Sequence, residues 1–440
     1  MPAMSRIIAT GMTKLVKSGE SAMMLKQRAL ELAVASISGL RMEDLDGLIS
    51  VPSLSEARFM DAHFLATRMN ILPSKSIRGM MVKTLDTGGA GPVTALLEAD
   101  NLIKFKGYSL VAIVAGDAVA SMSTQDFRRD ADAGCSNPEG DRSGPVIPLG
   151  YNRVAEWMLA RGSITREQLA MVSVLMSRQA IRHPYALTRT PHTLEKVLMS
   201  ASVASVTTQL ECARRADGAA AVIVASADFI EEHRSILPDS LWRCPLILGG
   251  GEASGPLYPP PAITEDMFSC ERAANKAYRA TGLKVSDINY FGLYDCFPIC
   301  FIKAVEDVGL APKGLGGQWV EDMYMQSERQ GGILSPSDFP VNTHGGLLSF
   351  GAPWETPAMY SIVEAVMQLS NLSEHGTGVD SGNDNDSNSD ITLNCAKGRE
   401  SQRERQVPHA EYALVYGNGG IFSASAVAIL GRGREIGRGG

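Results

Sequence analysis

The chain has 440 residues, 45% hydrophobic and 20% charged, with a formal net charge of −7. That is globular composition with room for two or three domains, and the modest acidity without a basic stripe argues against nucleic acid as a partner. Seven cysteines without regular spacing make no disulfide framework and fit a reducing compartment, and the longest apolar run, YSLVAIVAGDAVAS, is broken by Asp117 and too short to span a bilayer.

In chain order, SRIIATGMT reads as a first strand with a basic turn after it. The first nineteen residues carry Arg6, Lys14 and Lys17 and no acid, which is also the character of a mitochondrial presequence. The two readings are compatible, with the cytoplasm as the other expected compartment. KQRALELAVASISGL predicts a helix with Gly39 as its cap, leading into the strand LDGLISV. TLDTGGAGPVTALLEADNLI predicts a glycine pair before a helix, and YSLVAIVAGD a strand. Residues 122–207 begin polar and turn helical in SITREQLAMVSVLMSRQAI and TLEKVLMSASVAS, as an inserted cap would. AAAVIVAS is the next strand.

The pattern then recurs. The helix ERAANKAYRATGL leads into KVSDINYFGLYDCF, so that Gly39-Leu40-Arg41 and Asp44 match Gly282-Leu283-Lys284 and Asp287. The joints lie about 240 residues apart, far beyond a solenoid period, and indicate a duplicated domain. PVNTHGGLLSFGAPWETPAMYSIVEAVMQL parallels the first glycine pair and helix. YALVYGNGG and ASAVAIL close the second half as strands, and strands alternating with helices argue for an α/β fold. Residues 371–405 are low-complexity and predict a disordered insertion. Its DSGNDNDSNSD run lacks the bidentate glutamate of a calcium loop, and no metal is expected. The last residues, REIGRGG, do not match a peroxisomal S-K-L address.

The duplicated halves, the cap and the loop Tyr294-Asp295-Cys296-Phe297 resemble the thiolase superfamily. Within it the chain is most similar to sterol-carrier-protein-type thiolases and to their Y-D-C-F relatives, the trypanosomatid thiolase-like proteins and the actinobacterial steroid aldolases. The resemblance implies two βαβαβαββ halves in five αβαβα layers, with 1–121 and 208–258 as the first half, 122–207 as the cap and 259–440 as the second. It also implies that Gly89 stands where the nucleophilic cysteine of a working thiolase belongs, Ala352 at its histidine and Gly417 at its second cysteine. A chain so altered is not expected to carry out thiolysis. What remains is an oxyanion site of backbone N–H groups at Gly89 and Gly419, with Asn342 holding a water and His344 nearby. Tyr294 and Cys296 are the reactive side chains left, Asp295 is expected to bind backbone N–H groups, and Cys300 to pack in the core. Arg182, His183 and Arg189 are the candidates for coenzyme A phosphates.

Three activities fit that set. One is decarboxylation of a malonyl-type acyl-CoA with Cys296 donating the proton. Another is retro-aldol cleavage of a β-hydroxyacyl-CoA with an OB-fold partner chain. The third is a non-catalytic acyl-CoA-binding scaffold in lipid or sterol metabolism. Coenzyme A enters as part of the substrate, no separate cofactor is expected, and the resemblance implies a homodimer.

Overall fold

The computed structural model describes residues 4–74, 79–135, 145–370, 391–392 and 403–433. The first half comprises β1 (Arg6–Met12), α1 (Ala22–Ala35), β2 (Gly47–Ser50), α2 (Asp61–Arg68), β3 (Met81–Thr84), α3 (Gly91–Lys106) and β4 (Leu110–Ala118). Helices α4 (Thr124–Cys135), α5 (Val146–Ala160), α6 (Arg166–Ala180) and α7 (Leu194–Leu198) follow, before β5 (Asp217–Ala225) and the short α8 (Ala227–Glu232). The second half runs through β6 (Leu246–Ser254), α9 (Cys270–Thr281), β7 (Tyr290–Gly292), α10 (Pro298–Asp307), α11 (Gly316–Arg329), α12 (Pro357–Leu369), β8 (Ile391–Thr392), β9 (Tyr412–Gly419) and β10 (Ala424–Gly431).

Strand order is β3-β2-β4-β5-β1 followed by β6-β10-β9-β7. Each half repeats one pattern: a parallel pair (β2 with β4, β7 with β9), then antiparallel neighbours ending on the half's first strand. The half-sheets meet where β1 pairs with β6, with Arg6 opposite Leu246. Helix α1 packs on β1, β4 and β5, α9 packs on β6 and β10, and α3 and α12 lie between the half-sheets, so the layers read α-β-α-β-α. Strands β4 and β5 are buried throughout. Along β4, Leu110, Ala112 and Val114 share a core with α1, while Val111, Ile113 and Ala115 face the central helices. A strand covered on both faces needs the unbroken apolar run this sequence has.

The duplicated joints have the same local chemistry. The Asp44 carboxylate accepts from the Arg41 N–H at 2.9 Å, and the Asp287 carboxylate from the Lys284 N–H at 2.7 Å. Two residues on, Asp46 accepts from the Ser109 and Leu110 N–H groups at 2.7 and 2.9 Å, and Asn289 from those of Glu411 and Tyr412 at 2.9 and 3.0 Å. The repeated letters are therefore a repeated device: one acid closes a turn, and the next oxygen anchors the strand beside it.

Several boundaries differ from expectation. Strand β6, expected within the first half at 208–258, pairs along its length with β10 of the second. Helix α1 ends at Ala35, with Ser36 closing it, and Gly39 (φ 87°) turns the chain afterwards. Helix α7 stops at Leu198 rather than running on to Ser205. The second central helix begins at Pro357, not near Gly346, because 346–350 winds as a separate π-turn. Most of the stretch expected to be disordered lies outside the described residues. Its described parts are ordered: Ile391–Thr392 pairs with β1, and Arg405 is buried.

Candidate active site

Strand β7 delivers the loop Leu293–Phe297 to the head of α10, where Phe297 is the cap and Pro298 opens the helix. Tyr294 points from this loop at Gly89. A Cβ built on Gly89 would lie 2.1 Å from the Tyr294 hydroxyl oxygen and 2.5 Å from its ring carbon Cζ. The phenol thus fills the space that any side chain at Gly89 would need. The backbone closes in from the other side. A Cβ on Gly419 would meet the Thr87 carbonyl oxygen at 1.9 Å, and one on Gly417 the Gly89 carbonyl at 3.2 Å. Gly89, Gly417, Gly419 and Tyr294 therefore form one site at the start of α3. Burial raises the Tyr294 hydroxyl well above the ordinary tyrosine value of 10.

Cys296 is half-buried, with its carbonyl accepting from the Ala213 N–H at 3.1 Å. Its thiol faces Tyr151 of α5, Tyr294 and Cys300. Cys300 is fully buried core, as its place on α10 implied. Asp295 is fully buried and accepts from the Leu347 and Leu348 N–H groups at 2.7 and 3.4 Å, which fixes the π-turn. Burial holds its carboxyl up at about 7. Gly346 has to be glycine here, since a Cβ would sit 2.1 Å from the Asp295 carboxylate and φ is +61°.

Asn342 has a structural job that the sequence did not suggest. Its side-chain oxygen accepts from the Leu293 N–H and its amide donates to the Leu293 carbonyl, both at 2.8 Å. Fully buried, it clamps Tyr294's neighbour through the loop backbone. His344 is also buried, edge-on to Phe350 at 5.1 Å, and its Nδ1 has no partner among the described residues. Desolvation lowers its pKa to about 4, so it is neutral. It belongs to a buried polar cluster where Glu364 pairs with Arg405 at 3.2 Å and accepts from the Thr343 hydroxyl at 2.6 Å.

The basic group expected at coenzyme A is turned largely inward. Arg182 donates to the Leu334 carbonyl at 2.8 Å. His183 is buried, 4.7 Å from the Phe350 ring centre, with its pKa well below the usual 6.5 through desolvation. Arg189 is exposed while it caps the turn through the His183 and Pro184 carbonyls.

Sequence reasoning missed three contributors. Tyr151 of the cap stacks on Phe297 at 4.7 Å, donates to the Gly420 carbonyl at 2.7 Å and accepts from the Asn418 amide at 2.7 Å, locking the cap onto the β9–β10 turn. Arg405 sits inside the low-complexity stretch, and its one signal was the lone acid Glu364 in an apolar helix. Glu355 follows the altered histidine motif with its Oε2 buried and unpartnered among the described residues, and no family letter marks it. Among the described residues no cluster of His, Cys, Asp and Glu is set to hold a metal, and no helix is long and apolar enough to cross a membrane.

Comparison with known proteins agrees with this geometry. Residues 261–379 match the family described as thiolase C-terminal domain-like. The acetyl-CoA acetyltransferase of Methanothermobacter thermautotrophicus is 31% identical over 330 residues, covering 74% of each chain. Bovine (Bos taurus) sterol carrier protein 2 is 26% identical over 240 residues, 53% of this chain and 41% of that one. Among solved structures, one titled Ltp2-ChsH2(DUF35) aldolase superposes with a TM-score of 0.73 at 22% identity, covering 99% of both chains. The paired capping turns, the two central helices meeting between mirrored half-sheets and the similarity to that acetyltransferase lead to one assignment: the chain belongs to the thiolase superfamily.

Proposed function

We propose that the protein is an acyl-CoA carbon–carbon lyase that cleaves a β-hydroxyacyl-CoA by a retro-aldol reaction, and that it is not a thiolase. The observation that carries this reading is the Tyr294 hydroxyl filling the space a side chain at Gly89 would occupy. A thiolase needs a nucleophile there to form its acyl-enzyme, whereas a retro-aldol step needs a group that takes a proton from the β-hydroxyl. As the Cα–Cβ bond breaks, its electron pair passes into a thioester enolate, and a ketone or aldehyde leaves. Backbone N–H groups of Gly89 and Gly419 are the proposed donors to the enolate oxygen, each worth roughly 3 kcal/mol to a developing oxyanion. The overall likeness to a structure titled as an aldolase supports the same direction, and an OB-fold partner chain is part of the proposal.

Decarboxylation of a malonyl-type thioester is the second reading, favoured by Cys296 facing the same site. One experiment separates the two. The protein is given a β-hydroxyacyl-CoA with a tertiary alcohol and, separately, malonyl-CoA, and carbonyl product and CO₂ are followed. Retro-aldol cleavage lost by about 10²-fold or more in Tyr294→Phe, with binding retained, supports the proposal. CO₂ release that falls in Cys296→Ala, with no cleavage of the alcohol, overturns it in favour of the decarboxylase. Binding of both without turnover leaves the scaffold.

A further inference from the structure

The turn between β9 and β10 carries the Gly419 N–H, and its shape is not one that its own residues favour. Gly420 has φ +60° and Phe422 φ +63°, a left-handed conformation that is costly for a bulky side chain unless its surroundings impose it. Here they do. The Ser423 N–H closes the turn onto the Gly419 carbonyl at 3.0 Å, and the Ser269 hydroxyl donates to the Phe422 carbonyl at 3.2 Å. A Cβ on Gly88 would stand 2.9 Å from the Gly419 Cα, so the glycine pair before α3 touches the turn directly. Helix α5 of the cap presses on the same turn, where a Cβ on Gly150 would run into the end of the Ile421 side chain.

The next residue of α5, Tyr151, brackets Gly419. Its hydroxyl donates to the Gly420 carbonyl and accepts from the Asn418 side-chain amide, both at 2.7 Å. The directions are fixed, because a carbonyl only accepts and an amide nitrogen only donates. The Asn418 side-chain oxygen accepts from the Tyr416 hydroxyl at 3.1 Å, which sets the orientation of that amide. The Tyr151 ring is held in turn by Phe297 at 4.7 Å and Phe422 at 5.2 Å. Phe297 ends the loop that carries Tyr294, so one buried side chain of the cap touches both that loop and the glycine turn.

We infer that Tyr151 is the positioning residue of the oxyanion site, acting through the turn to aim the Gly419 N–H. The inference rests on the enolate-stabilising site of the proposed function. A hydrogen-bond donor stabilises a developing oxyanion only as far as it is aimed in advance. The Gly419 peptide has no side chain of its own to hold it, and the phenol of the cap supplies that hold from the two residues beside it.

Acetoacetyl-CoA tests this without turnover, because its enolate absorbs in the ultraviolet and its formation can be titrated with pH. Bound to the wild type, the enolate should form at lower pH than in free solution. Tyr151→Phe keeps the ring and removes both hydrogen bonds. It should raise that midpoint by about one to two pH units, a loss of roughly 10–10²-fold in enolate stabilisation, and leave the Kd for coenzyme A unchanged. Asn418→Ala, which removes one partner of the same hydroxyl, should move the midpoint the same way, with the double variant little beyond the larger single change. Should Tyr151→Phe fail to fold, Asn418→Ala decides by the same midpoint. A folded Tyr151→Phe with the wild-type midpoint overturns the inference. So does a wild type that fails to lower the midpoint, since there is then no oxyanion site to aim. A wild type that lowers the midpoint yet cleaves no β-hydroxyacyl-CoA sinks the retro-aldol reading alone, and the shift in Tyr151→Phe still supports the role of Tyr151.

Discussion

A single missing methyl group organises the chemistry of this protein. With Gly89 bare, a phenol occupies the space of a side chain, and Gly89 cannot gain one unless Tyr294 gives way. Gly89→Ala should destabilise the fold by about 1–3 kcal/mol through overpacking. Tyr294→Phe should not relieve it, since ring carbon Cζ already lies 2.5 Å from where that Cβ would stand. Tyr294→Ala should relieve it, and urea denaturation of the double-mutant cycle should give a coupling above about 0.5 kcal/mol. At this scale the sequence told where the thiolase groups were absent, at Gly89, Ala352 and Gly417. It could not tell what filled the gap, because Tyr294 and Gly89 meet only when β7 and α3 are brought together. Asn342 was legible as a buried polar residue but not as a clamp, since its partner, the Leu293 backbone, has no side-chain signature.

At the scale of elements, the repeat was the most readable feature, because it is written in short-range chemistry. Gly-Leu-basic-x-x-Asp encodes a turn that the same residues close in both halves. Helix starts were less readable where a distant carboxylate intervenes, as Asp295 does when it winds 346–350 ahead of α12. The anchors Asp46 and Asn289 offer a direct test of equivalence. Asp46→Ala and Asn289→Ala each strand two strand-edge N–H groups, and each should cost about 2–4 kcal/mol. Asp46→Asn should be tolerated far better, because the amide oxygen can accept the same bonds. Thermal denaturation of the three variants checks both the ranking and the symmetry.

For the whole molecule, the two ends of the strand order are unlike. The β7 end is short, buried and bridged by Val341. The β3 end is half-exposed, with no further strand beyond it among the described residues. An open edge invites pairing with a second copy, and we predict a homodimer joined there. The Met81 and Leu85 N–H groups are used toward β2 at 2.9 and 3.0 Å, so the alternation of a strand turns the Val82 N–H outward. Val82→Pro should remove that donor while sparing the fold. Light scattering should report twice the 47.0 kDa of one chain for the wild type and one chain for the variant. A wild-type monomer at micromolar concentration refutes the pairing.

The placement of β1 between β5 and β6 has a consequence for synthesis. The strand made first, whose Arg6 pairs with Ala225 and with Leu246, has no sheet to join until more than half the chain has emerged. At ~5–20 residues per second it waits roughly ten to forty seconds. During that interval an apolar strand beside a basic turn is presented to the cell as a linear peptide, open to chaperones and to any receptor that reads such segments, and its docking then withdraws it from view.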